Sequence, residues 1–322
     1  MAYTEIDDPT LFFETTIWST QDTSIDTLSF QPDIVWLKSR SNADTQVIFD
    51  SSRGVNKRLT TSGDTAEQTT SDELTAFNSD GFTLGTGDNV NRSSNTMVAW
   101  SWKESATAGV DIVGYTGNET ARTISHSLSA VPKMIIVKNR DTTHNWYCYH
   151  SSLGAGYEIL LNTTAAKDTT SQWNSTAPTS SVFSIGNSAF TNGNSNNIIA
   201  YLFADKQGFS KFGSYVGNGN ANGTYVYLGF RPALVIYKKS SGSGQGWVMN
   251  DNKRDTFNVA DAVIYANTNE AESDYDSVDF LSNGFKHRST GGSHNDSGVT
   301  YIYLAFAEAP LVNSKGVPCN AR

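Results

Sequence analysis

The chain states one motif three times, at intervals of about one hundred residues, which is longer than the roughly twenty to fifty residues of a solenoid turn and suits a small β domain. Phe30-Gln31-Pro32-Asp33-Ile34-Val35-Trp36-Leu37-Lys38 returns as Ala130-Val131-Pro132-Lys133-Met134-Ile135-Ile136-Val137-Lys138, and again as Phe230-Arg231-Pro232-Ala233-Leu234-Val235-Ile236-Tyr237-Lys238. The proline and the lysine keep their places. Few folds satisfy such a constraint except one structural idea used three times.

Other landmarks fall on the same ruler. Phe49-Asp50-Ser51-Ser52-Arg53-Gly54 lines up with Tyr149-His150-Ser151-Ser152-Leu153-Gly154 and, more loosely, with Met249-Asn250-Asp251-Asn252. Each copy closes on a small and aromatic segment: Val98-Ala99-Trp100-Ser101-Trp102, Ile199-Ala200-Tyr201-Leu202-Phe203-Ala204 and Tyr303-Leu304-Ala305-Phe306-Ala307. The linker-like stretches Ser105-Ala106-Thr107-Ala108-Gly109 and Ala204-Asp205-Lys206-Gln207-Gly208 set the boundaries. The expected division is 1–108, 109–208 and 209–322, the last with a C-terminal tail.

In the proline-led motif four successive apolar residues face both sides of a pleat, so both faces of that strand should be covered. Proline is tolerated where a strand begins, and the terminal lysine can run its stem along the core while its ammonium reaches water. Six or seven short strands per copy, separated by Asn- and Gly-rich turns, predict an all-β protein of three tandem, jelly-roll-like β-sandwich modules. With linkers this short, neighbouring modules should touch and form a stiff array.

Composition narrows the function classes. Among 322 residues only 17% are charged and the net charge is −9, which disfavours nucleic acid because phosphate backbones are bound by clustered Lys and Arg. No run of eighteen apolar residues occurs, so membrane insertion is not expected, and the first residues lack a signal-peptide pattern. The expectation is synthesis in a host cytoplasm. Cys148 and Cys319 form neither a disulfide framework nor a metal knuckle.

No nucleophile elbow, zinc-binding His pair on a helix, phosphate loop or EF-hand loop is present. Asp50, with Arg53 as partner, is the most tempting catalytic acid, yet the ruler sets His150 and Asn250 opposite it, and a turn-capping side chain accounts for all three types. His144 with His150, and His287 with His294, lack a recurring third ligand. Asp88, Asn89 and Asn91, or Asp251 and Asp255, make only loose oxygen clusters. The expectation is therefore no enzyme, no cofactor and no metal.

Exposed aromatic residues beside polar groups are what recognition of a glycan would use. Trp173, in a polar stretch, and Trp247, after a Gly-rich turn, are the expected platforms, with Asp251, Asn252 and Arg254 as polar partners. Trp36, Trp100 and Trp102 read as core. Lys38, Lys138 and Lys238 read as strand-end cations satisfying carbonyls or a carboxylate.

The segments 30–38, 80–85 and 98–103, with Val131 to Arg140, Asn145 to His150 and Gly208 to Gly219, resemble a repeat found in virion proteins of tailed phages, many from marine hosts. The resemblance covers nearly the whole chain and carries no active-site residues. It implies a virion protein on the particle exterior, in a tail fibre, spike or knob that attaches to a host-surface glycan or receptor and contacts other virion proteins. Decoration of the capsid or a connecting role in the tail is the alternative, and a polysaccharide depolymerase a third. A homotrimer is the common form of a fibre, although three internal units could let one chain imitate a threefold assembly. The third unit departs most, at Asp251 to Asp255 and in the acidic run from Glu270 to Asp279.

Overall fold

The computed structural model describes residues 3–19, 21–242 and 244–319, the side chains of 276 and 277 excepted. The chain is an all-β sandwich protein, with only two four-residue α-helices among the described residues. One strand order recurs along it. The first large sheet runs Phe13–Trp18, Met97–Trp102, Ile34–Ser39, Val47–Asp50, Lys57–Thr60, Gln68–Thr69, and the second runs Val110–Thr116, Asn197–Phe203, Met134–Asn139, Tyr147–His150, Tyr157–Leu160, Asp168–Thr169. The third begins Ser210–Val216, Thr300–Pro310, Phe230–Lys239, Trp247–Asp251, Ala260–Tyr265 and continues through the long strand Ser273–Leu281 into Gly284–His287 and Tyr225–Tyr227. We refer to residues 13–102, 110–203 and 210–310 as the first, second and third units.

The proline-led strands lie at the centre of these sheets and are buried on both faces. Val35 and Leu37 face the interior of the first sandwich, as Ile135 and Val137 do in the second and Val235 and Tyr237 in the third. Residues of the opposite parity, Ile34, Trp36, Met134, Ile136, Leu234 and Ile236, enter a single cluster that all three units share. Double-sided burial thus has a specific cause: one face packs within the unit and the other against its neighbours. Pro32 and Pro132 precede their strands, whereas Pro232 sits inside its strand where the register slips, a position that can lack an N–H donor.

The shared cluster makes the arrangement a closed ring, not the end-to-end array expected from the short linkers. Trp102, Phe203 and Phe306 occupy the same place in the three closing strands, and each touches the other two, with ring centroids 6.4, 5.6 and 5.9 Å apart. Three equivalent residues can meet mutually only around a threefold pseudo-axis. Short linkers allow this because a large apolar area is removed from water when the second faces of all three sheets converge. The N-terminal residues fasten the chain's start to the third unit and the connection leading into it: the Tyr3 hydroxyl donates to the Gly229 carbonyl at 2.8 Å, Thr4 Oγ1 to Gln207 O at 2.9 Å, and Phe12 meets Phe209.

Hydrogen bonds repeat around the ring as well. Backbone N–H groups of Glu67, Lys167 and Glu272 donate to the carbonyls of Arg140, Ser240 and Arg40 in the next unit, at 2.7, 3.2 and 2.7 Å. Trp146 Nε1 donates to Thr60 O at 2.8 Å and Trp247 Nε1 to Leu160 O at 2.9 Å, while Gln46, in the place of the tryptophan, donates to Tyr265 O. Each seam therefore carries the same two bonds.

Candidate functional site

Side chains at the seams are less uniform than the backbone. Between the first and second units, Asp50 accepts from Arg53 Nε at 2.5 Å and from the Tyr201 hydroxyl at 2.6 Å; Arg53 reaches Glu67, and Glu67 is held in two bonds by Arg140. Between the third and first, Asp251 accepts from Arg254 Nε at 2.5 Å and from Trp100 Nε1 at 3.1 Å, and Glu272 bridges Arg254 to Arg40. The two acids and two arginines match residue for residue, and Tyr201 in the first network stands where Trp100 does in the second. Between the second and third units the same places hold His150, Leu153, Lys167 and Ser240, and His150 Nε2 lies 3.2 Å from Tyr303 O.

This corrects the sequence register. Strand pairing sets Ile34 against Asp50, Met134 against His150 and Leu234 against Asp251, so Asp251 and not Asn250 is the counterpart of Asp50. The turn before Trp247 is one residue longer than its counterparts, which displaced the alignment by one. Asp50 also caps its turn, accepting from Arg53 N at 2.8 Å. Burial works against the charge of Arg254, but Asp251 and Glu272 outweigh it and raise its pKa.

The predicted glycan platforms are not exposed. Trp173 lies under the second sandwich, its Nε1 donating to Tyr157 O and its ring meeting Tyr149. Trp247 is wholly buried in the shared core, the role the repeat assigns to Trp146. Polar neighbours in sequence misled in both cases, because those neighbours form the turns around a buried ring. Asp251 and Arg254 are buried as the seam ion pair and are not offered to solvent. Of the five expected ligand residues, Asn252 lines a cleft.

The lysine ammonium groups of the proline-led strands do not reach water: Lys38, Lys138 and Lys238 are fully buried and donate to carbonyls, two of them across a seam. Lys138 bonds His144 O and, across the seam, Asp64 O; Lys238 reaches Thr164 O across its seam; Lys38 bonds Ser39 O and Asn42 O. Burial pushes Lys38 and Lys138 down to about 8 and Lys238 to about 7. Asp88 pairs with Arg92 and Asp255 accepts from Ala262 N, while Asn91 is buried and donates its Nδ2 to Gly85 O, so the three do not converge as a set of oxygen ligands. His144 packs on Phe190, apart from buried His150. His287 and His294 are both buried with ring centroids 4.9 Å apart, and neither ring nitrogen of His287 has a hydrogen-bond partner. Among the described residues no three His, Cys, Asp or Glu side chains converge as metal ligands, and no helix is long and apolar enough to cross a membrane.

A carboxyl pair does exist, at Glu104 and Asp111. Burial, and then the hydrogen bond between the two, raises Glu104 to about 7. Both groups are occupied with backbone donors: Glu104 accepts from Ile112 N, and Asp111 from Ile112 N and Ser127 N. They brace the start of the second unit.

The cleft lies where the opening strand of the first unit meets the third, and has a volume of about 520 Å³. Phe13, Ala233 and Ala307 form an apolar floor; Glu14, Lys253 and Glu308 stand around it. Its outer wall is Phe257, 78% exposed. That ring sits on residues 252–259, a connection two residues longer than 51–56 and 151–156 of the other units. Residue types alone did not single out Phe257, Thr15, Glu14 or Glu308, although the extra length of the turn was a usable signal.

No curated protein matches the chain significantly. A family model described as a domain of unknown function, DUF7483, matches residues 8–310, a span that takes in all three units, and the chain belongs to that family.

Proposed function

We propose that this chain is a non-enzymatic structural protein on the exterior of a tailed-phage particle, forming the head of a fibre, spike or knob that attaches the particle to its host. The observation that carries this reading is the closed ring around Trp102, Phe203 and Phe306, through which one chain presents three similar outer faces. A head of that symmetry suits the tip of a threefold fibre, so a single copy takes the place of the homotrimer expected from the resemblance. The engagement of Glu104 and Asp111 as backbone caps supports a structural role for the most perturbed acid pair.

Labelling intact particles with an antibody to the chain, together with binding of the purified protein to host cells, tests the proposal. Label at tail appendages and saturable attachment to cells are the expected results. Label over the head lattice, with no attachment, would establish the alternative of capsid decoration, which the same three-faced shape favours at a local threefold position.

A further inference from the structure

We propose that the cleft between the first and third units is a binding site for a neutral oligosaccharide, with Phe257 as its stacking face and Thr15 and Asn252 as hydroxyl partners. The proposal rests on the attachment reading and assigns it a place. Thr15 and Asn252 are among the residues around the cleft, only 2% and 4% exposed, and Thr15 Oγ1 and Asn252 Oδ1 are buried with no hydrogen-bond partner. A buried polar atom left unmade costs about 1–3 kcal/mol, so two in one cleft call for a ligand able to reach them. Hydroxyl groups suit both, since an amide oxygen accepts and a threonine hydroxyl donates or accepts.

Phe257 supplies the other half of sugar chemistry. A ring this exposed, on a turn lengthened only in this unit, adds an apolar face to the cleft that Thr15 and Asn252 also line, as the C–H face and hydroxyl edge of a pyranose require. The cleft volume is ordinary for a small-molecule site. Charge decides the class of sugar. Lys253 is engaged with Glu14 at 3.3 Å, and Glu308 with Arg231 at 3.1 Å. With its cations paired and the chain at a net −9, the cleft favours neutral sugars over uronic or sulfated ones.

Titration of the full chain with maltohexaose, cellohexaose, mannohexaose and chitohexaose, and with polygalacturonate as the acidic control, tests the assignment. At least one neutral oligomer should bind, and Phe257→Ala should weaken it about tenfold or more while leaving the thermal midpoint unchanged. Thr15→Val, which keeps the shape and removes the hydroxyl, should weaken the same oligomer. Binding that Phe257→Ala leaves intact, preference for polygalacturonate, or no neutral oligomer bound would overturn it. Cell attachment by wild type and Phe257→Ala separates the two claims. Equal attachment by both removes the cleft and spares the attachment reading; no attachment by wild type removes that reading, and the titration still judges the cleft.

Discussion

Two seams of the ring are closed by buried ion pairs and the third is not, although all three share the same backbone geometry. Asp50–Arg53–Glu67–Arg140 and Asp251–Arg254–Glu272–Arg40 are the same device built twice, and His150, Leu153, Lys167 and Ser240 take its place between the second and third units. The backbone bonds from Glu67, Lys167 and Glu272 survive the exchange, as does the apolar centre. What closes the ring is therefore the shared core with its repeated hydrogen bonds. The ionic groups are coupled to one another: desolvating them costs much, and their mutual attraction mainly offsets that cost.

Breaking one partner should have the largest effect. Arg254→Ala leaves Asp251 buried and loses the bridge to Glu272, and should cost about 3–5 kcal/mol in denaturant unfolding. Installing the other solution whole should cost far less than Arg53→Ala alone: Asp50→His, Arg53→Leu, Glu67→Lys, Arg140→Ser and Tyr201→Leu together copy the seam between the second and third units. If the combined variant is the less stable of the two, the seams are not interchangeable. Trp102→Ala, at the axis, should also cost about 3–5 kcal/mol and lower the stability of all three units together, read by hydrogen exchange in each.

The histidine seam should be the first that acid weakens, because Glu67 in the ion-pair seam is held below its usual value and gives way only at lower pH. Burial lowers His150 to about 4 from 6.5, so between those values the unfolded chain binds more protons and stability rises with pH. The contribution is intact above pH 6.5 and is lost as pH falls towards 4, by about 3 kcal/mol. Burial, and then its neighbour His294, holds His287 well below its usual value, which adds loss of the same sign. His150→Asn should move the acid midpoint down; His287→Leu with His294→Val, the residues at Leu84 and Val90 of the first unit, should move it further. Unchanged midpoints would mean that other groups control acid unfolding. Smallest is Trp146→Phe, which forfeits one seam hydrogen bond and the pyrrole half of the indole, at about 1–3 kcal/mol.

Much of a single unit was legible in sequence, because strand burial is a short-range pattern. Four apolar residues in a row at Ile34 to Leu37 announced a strand covered on both faces, and the lysine after them announced a buried stem. What covered the second face was not legible. Ring closure depends on contacts between residues about one hundred positions apart, and the same apolar letters would serve in an array. Trp247 shows the cost of reading letters locally: its Gly-rich flank suggested solvent, while its counterpart Trp146 pointed to the core. Asn252 was named from its neighbours in sequence, whereas Thr15 and Glu14, which line the same cleft, come from the far end of the chain.

Calorimetry on the whole chain tests the central claim most directly. One shared core predicts a single transition whose calorimetric and van't Hoff enthalpies agree, and an isolated 109–208 segment that fails to fold. Two or three separable transitions, or a second unit as stable alone as in the chain, would contradict it.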